Sequence, residues 1–194
     1  VYTSYPEAEL FVNGVSQGRR RKMPTAKAQG VQTENHESRY RLMWEDVRYE
    51  KGVIEVVAYD NEGKEAGRKC VHTAGKPHHI EVVSGLEFTG CSCIPAMKAD
   101  GKDLCYLTVK VVDKDGNLCP DADNLLNFSV SGSASYKASA NGDPTCLDLF
   151  HLPQMHAFKG MLTVILQAGE SAGPATLKIS AKGLKGATVN LSVE

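Results

Sequence analysis

Apolar and polar residues alternate with a period of two along most of the chain. This is the pattern of half-buried β-strands, whose successive side chains point to opposite faces. In AELFVNGVSQG, Leu10 and Val12 share one face and Phe11 takes the other. Asn13-Gly14 then supplies the pair of residues that tolerates positive φ in a tight hairpin turn, and Ser16 to Gly18 begin the return strand. RYRLMWEDV reads as a strand with Tyr40, Leu42 and Trp44 on one face. Glu50-Lys51-Gly52 turns the chain, VIEVVAYD follows, Asn61-Glu62-Gly63 turns it again, and EAGRKCVHTAG closes the unit. That predicts about five strands and no helix.

Gly75-Lys76-Pro77 breaks the alternation and marks a domain boundary. Beyond it come the strand HHIEVVSG and a longer edge region, LEFTGCSCIPAMKADGKD. In LCYLTVKVVD, Cys105, Leu107, Val109 and Val111 lie on one face, with Tyr106, Thr108 and Lys110 on the other. Asp115-Gly116-Asn117 turns, NLLNFSVSG is a strand, and MLTVILQAG, ATLKISAKG and ATVNLSVE complete the set. Short strands punctuated by Gly, Asn and Asp predict an all-β fold of two tandem immunoglobulin-like β-sandwiches, residues 1–75 and 76–194.

A net charge of −1 gives no field that would favour nucleic acid or an anionic membrane. No apolar run approaches the length of a membrane span. The opening VYTSYPEAELF has neither a basic nor an apolar leader segment and starts directly on a strand pattern, so the chain is read as a fragment of something longer. The basic run Gly18-Arg19-Arg20-Arg21-Lys22 lacks an aromatic platform beside it and reads as a solvated loop after the hairpin.

One segment departs from plain strand. GDPTCLDLFHLPQMHAFKG, residues 142–160, gathers Asp143, Cys146, Asp148, His151 and His156. A Cys/His pair there would need a helix N-terminus or a neighbouring cation to lower the thiol pKa. No helix is predicted, and no nucleophile-elbow motif occurs anywhere in the chain. The alternative is a long connection across an open sandwich end, buried through Leu149, Phe150, Leu152 and Phe158. For metal, Cys91-Ser92-Cys93 is spaced too closely, and His78-His79 on one strand would face opposite ways. No metal site and no cofactor is therefore expected. Trp44 is either a core residue or a platform for stacking on a sugar, with Tyr40 beside it. The six cysteines are either buried thiols, as Cys105 and Cys119 suggest by their strand positions, or partners in disulfides.

Three stretches taken in order resemble the C-terminal region of bacterial glycoside hydrolase family 2 enzymes, the large β-galactosidases of Bacteroidetes. The first is AELFVNGVSQG with MWEDVRYEKGVIEVVAYDNEGKEAGRKCVHTAGKP; the second is ADGKDLCYLTVKVVDKDGNLCPDADNLLNFSVSG; the third is NGDPT…F…AFKG. The resemblance implies that the 142–160 segment is a structural signature of an accessory sandwich, with Asp143 and Thr145 bracing it through side-chain hydrogen bonds and Phe150 and Phe158 pinning it. Met155-His156 stands where the pattern commonly has a basic residue, so an ion pair to Asp143 would require a protonated His156.

Family 2 enzymes cut β-glycosides with a pair of glutamates on a (β/α)₈ barrel of about 250 residues. This chain carries no such alternation of strand and helix, so the resemblance implies that no residue here is catalytic. It implies an accessory region whose partners are the catalytic barrel and other domains of a parent enzyme, with a second subunit and glycans as further candidates. It also implies a periplasmic or cell-surface location. The rival readings are a carbohydrate-binding module using Trp44 and Tyr40, and a segment of an adhesin or surface stalk.

Overall fold

The structure is a computed structural model that describes residues 1–22, 41–84, 94 and 96–194. Among these residues are twelve β-strands and no α-helix, arranged as three antiparallel sheets, so the chain is all-β as the alternation predicts. It divides into two compact units, Val1–Thr73 and Ala74–Glu194.

The first unit holds β1 (Glu7–Val12), β2 (Val15–Arg21), β3 (Val53–Tyr59) and β4 (Glu65–His72), in the sheet order β2-β1-β3-β4. Asn13 and Gly14 join β1 to β2 with φ of 50° and 81°, the paired left-handed conformation of a two-residue hairpin turn. The Asn13 side chain then braces the next strand: its Oδ1 accepts the Val53 N–H at 2.8 Å and its Nδ2 donates to the Lys51 carbonyl at 3.2 Å. Ala8, Leu10 and Val12 alternate into the buried face of β1.

Two expectations fail in this unit. The basic run is not a loop but the end of β2, where Arg19 and Arg21 reach across to Glu7 at 2.5 and 3.0 Å. The guanidinium of Arg19 also lies 3.7 Å from the centre of the Tyr59 ring. Pairing with β1 supplies the strand that the polar composition hides. RYRLMWEDV is not a strand over its described part either. Arg41 makes an isolated bridge to Tyr2, and 42–47 has no strand partner, although Leu42 is buried. Tyr40 lies outside the described residues.

The second unit holds β5 (His79–Ser84), β6 (Leu104–Val112), β7 (Leu125–Gly132), β8 (Ala134–Ala140), β9 (Gln154–His156), β10 (Met161–Ala168), β11 (Gly173–Ala181) and β12 (Ala187–Val193). One sheet has the order β5-β6-β10-β8 and the other β12-β11-β7-β9. With the short β9 set aside, seven strands split in chain order as first, second, fifth and fourth against third, sixth and seventh, which is the constant-type immunoglobulin arrangement. A single core joins the two sheets: Leu107, Val109, Val164 and Leu166 from one meet Leu126, Leu177, Ile179 and Leu191 from the other.

Cys105, Leu107, Val109 and Val111 all face this core, while Tyr106 is exposed, as the alternation in β6 requires. β8 is a strand that the sequence pattern did not announce, because ASYKASA offers only small and polar residues apart from Tyr136. Gly75, where the sequence breaks, is tied into this unit: its N–H donates to Asp113 Oδ2 at 2.7 Å. The same carboxylate accepts the N–H groups of Asp115 and Asn117, both at 2.9 Å, and so builds the Asp115-Gly116 turn.

Candidate functional site

The segment after β8 carries the chain from the edge of one sheet to the edge of the other. Its far end, β9, pairs with β7 through Leu125↔His156, Leu126↔Met155 and Asn127↔Gln154. It then returns to β10 through Phe158-Lys159-Gly160-Met161. Phe158 and Met161 exchange both backbone hydrogen bonds, and Lys159 and Gly160 carry φ of 51° and 75°, as a second tight hairpin turn demands. Gly160 is required there for space as well, since a Cβ would lie 2.3 Å from the Cys119 carbonyl oxygen.

Polar side chains frame the connection from within. Asn141 Oδ1 accepts the Asp143 N–H at 3.0 Å, and Asn141 Nδ2 donates to the His156 carbonyl at 3.0 Å. Asp143 Oδ1 accepts the Thr145 N–H at 2.9 Å and the Thr145 hydroxyl at 2.8 Å, a short side-chain turn of the kind Asp and Thr form with nearby backbone. Asp148 Oδ2 accepts both the backbone N–H of His156, at 2.8 Å, and its ring Nδ1, at 2.9 Å. That backbone donor first, and the imidazole second, hold the Asp148 carboxyl below the usual carboxylate range. On the β8 side, the Tyr136 hydroxyl donates to the carbonyls of Leu152 and Phe150 at 2.6 and 3.0 Å, while its ring stacks on Phe128 at 5.7 Å.

Asp148, and not a direct contact, links the two residues that a Cys/His reading would join, since it accepts from His156 and from the Cys146 thiol. His156 is paired with Asp148, not with Cys146 and not with Asp143. The thiol of Cys146 meets Asn141 Nδ2 at 3.3 Å, and His151 is exposed. Phe150, expected as a buried pin, is 59 % exposed, and Leu149 and Leu152 are likewise on the surface. Its main chain does the holding, since the Phe150 carbonyl accepts the Ser139 N–H at 2.9 Å. Phe158 is half-buried beneath the Lys159 ammonium. The buried side chains of the segment are Met155 and Ala157. The alternation of QMHA foreshadows this pair, because a core-facing residue recurs at every second position.

Trp44 is half-buried, and its indole N–H donates to the Gly18 carbonyl at 2.9 Å. His78 precedes β5, so strand alternation does not separate it from His79, and their Nδ1 atoms lie 3.1 Å apart. His79 Nε2 also lies 3.3 Å from Glu81 Oε1; among the described residues no group of three or more His, Cys, Asp and Glu could hold a metal ion.

Arg68 grips Glu55 at 2.6 Å and Glu65 at 3.0 Å and holds both carboxyls below their ordinary range, the opposite of what a general acid requires. Among the described residues the free thiols are Cys70, exposed; Cys105 and Cys119, buried; and Cys146, half-buried. Burial pushes the Cys105 thiol up to about 11. Cys91 and Cys93 lie outside the described residues.

Comparison with known proteins places this pair of all-β units. Residues 95–190 match the glycoside hydrolase family 2 C-terminal domain 5, and residues 1–67 match a domain of unknown function, DUF4982. The chain is 37 % identical over 193 residues to β-galactosidase BoGH2A of Bacteroides ovatus, covering all of this chain and 20 % of that protein. It is 26 % identical over 158 residues to a β-glucuronidase of Formosa agariphila, covering 81 % of this chain and 15 % of that protein.

Among solved structures, a glycosyl hydrolase family 2 member from Bacteroides cellulosilyticus superimposes with a TM-score of 0.81 at 25 % identity, over all of this chain and 22 % of that one. A β-glycosidase from Bacteroides vulgatus gives a TM-score of 0.78 at 28 % identity, over 97 % of this chain and 21 % of that one. The chain therefore matches the C-terminal region of glycoside hydrolase family 2 enzymes, and it spans about a fifth of the length of such relatives.

Proposed function

We propose that these 194 residues are a non-catalytic accessory region of a longer family 2 glycosidase, and that they stabilise the parent by packing against its other domains. One observation carries the reading. The segment richest in potential chemistry, 141–160, has both its carboxylates and the Asn141 amide engaged with its own backbone and its own side chains. A group held in this way fixes a loop; it is not placed to meet a substrate. The glutamates gripped by Arg68 are ion-paired in the same inward-looking manner. Similarity to a β-galactosidase over the whole chain supports a β-galactoside as the parent's substrate, with a β-glucuronide as the competing class.

The test compares the purified chain with its parent on aryl β-galactosides and aryl β-glucuronides. The parent is expected to turn over one class, and the chain alone neither. Hydrolysis by the chain alone would overturn the non-catalytic reading. Saturable binding of a folded sample of the chain to a galactoside-bearing glycan array would favour a carbohydrate-binding module instead.

A further inference from the structure

The 141–160 connection buries Met155 and Ala157, but its middle presents apolar side chains on the wrong side for a loop that only seals its own sandwich. Within the six positions 147–152, Leu147 is 93 % exposed, Leu149 55 %, Phe150 59 % and Leu152 38 %. Scattered exposed leucines need no explanation, but a cluster on a single loop does. The loop beneath them is rigidly framed. Tyr136 holds the carbonyls of Phe150 and Leu152, Ser139 N–H holds that of Phe150, and the Asp148–His156 pair locks the returning strand. A loop free to collapse would turn these side chains inward; this backbone is tied so that they point out. Such preorganisation lowers the entropy lost when a partner is met.

Size says what kind of partner that is. Four partly exposed Leu and Phe side chains amount to roughly 300–500 Å². That is short of the roughly 800 Å² per partner of a stable free-standing complex. A patch of this size suffices when the partner is covalently tethered, because effective concentration replaces area. The four tip side chains are apolar, and Asp148 between them is turned back onto His156, which it meets through both the backbone N–H and the ring. The relative with 37 % identity extends over about five times the length it shares with this chain, so most of such a polypeptide lies outside these residues.

We infer that Leu147, Leu149, Phe150 and Leu152 form a docking knob that seats in an apolar recess on the remainder of the parent polypeptide. This inference rests on the accessory reading above and names its contact surface. The experiment uses the full-length parent with the photoreactive residue p-benzoylphenylalanine in place of Leu147 or of Phe150, in a mixture of isotopically light and heavy protein. Crosslinks within one polypeptide, to peptides outside the 194 residues, are expected. Crosslinks between light and heavy copies, crosslinks only within the 194 residues, or none would each overturn the knob.

In parallel, the parent carrying Leu149→Ser with Phe150→Ser is compared with a parent lacking the 194 residues. The double variant is expected to inactivate on heating several-fold faster than the unaltered parent, while the same substitutions leave the melting temperature of the isolated chain unchanged. If the deletion shortens the parent's half-life and the double variant does not, the accessory reading survives and the knob fails. If the deletion has no effect, the accessory reading itself fails.

Discussion

The phenol oxygen of Tyr136 lies 2.6 Å from the carbonyl oxygen of Leu152, sixteen residues further along the chain. Its proton is shared with the Phe150 carbonyl at 3.0 Å, and Ser139 Oγ stands 2.8 Å away on the other side. One hydroxyl on a strand of one sheet thus fixes the middle of the connection that runs to the other. Removing it leaves the ring stacked on Phe128 and strips only the polar tie. Tyr136→Phe is expected to cost about 0.5–1.5 kcal/mol: both carbonyls keep a backbone donor, from Ser139 and Gln154, while the buried Ser139 hydroxyl loses its partner and packing is kept. Urea denaturation of the chain checks it: the midpoint should fall with an unchanged slope.

Gly160 closes the same connection. Its φ of +75° is left-handed, and a Cβ there would meet the Cys119 carbonyl oxygen at 2.3 Å. Backbone, not a flexible side chain, is the obstacle, so the strand ends must shift. Gly160→Ala is expected to destabilise the second unit by about 2 kcal/mol or more. Thermal unfolding of the variant is the check, and a melting temperature equal to that of the unaltered chain would contradict this account.

Acid should act on the second unit through Asp113. The Gly75 N–H first, with the Asn117 side chain and the N–H groups of Asn117 and Asp115, holds this carboxyl well below the usual carboxylate range. A depressed folded pKa means that the contribution to stability is present above the unfolded value of about 3.9 and is lost as pH falls toward the folded value. Asp113→Asn removes the charge and turns one acceptor into a donor facing those N–H groups. The variant is expected to melt lower at pH 7, with the gap to the unaltered chain narrowing as pH falls below about 4. Asp100 and Asp148 have lowered values from backbone donors too, so some acid sensitivity remains in the variant. Melting curves at several pH values read this out; a gap that is constant with pH would contradict it.

How far the sequence revealed this molecule depends on whether a feature is local. The Asn13-Gly14 hairpin was legible because positive φ at two successive residues narrows the choice of side chain. The core face of β6 was legible because Cys105, Leu107, Val109 and Val111 repeat with period two. β8 was not, since ASYKASA has no apolar stripe and is ordered by its register against β10. The strand character of Gly18 to Arg21 was hidden for a related reason, because its arginines pair with Glu7 on the neighbouring strand. In the 141–160 connection, the bracing roles of Asp143 and Thr145 follow from residues two apart in sequence. The outward turn of Phe150 does not, because it is imposed by Tyr136 and Ser139 on β8. Hydrophobicity alone says that a phenylalanine prefers burial; only the tertiary tie shows that this one is held out.

The cysteines should separate cleanly by reactivity. Cys105 and Cys119 are buried, and burial first, with nearby carboxylates second, raises both thiols, so neither should be alkylated until the chain unfolds. Cys70 is exposed, yet its thiol is 3.4 Å from Glu55 Oε1, and that hydrogen bond raises its pKa. An accessible thiol is thereby kept protonated and slow. Glu55→Gln replaces the carboxylate with a neutral amide, while Arg68, still held by Glu65, keeps the charge that favours the Cys70 thiolate. Below the thiol pKa, each unit of lowering raises the thiolate fraction about tenfold. Because nucleophilicity falls as the thiolate becomes less basic, the expected gain in Cys70 alkylation rate at pH 7 is severalfold. Timed iodoacetamide labelling with peptide mass analysis measures it. An unchanged Cys70 rate in the Glu55→Gln chain would mean that the hydrogen bond does not control this thiol.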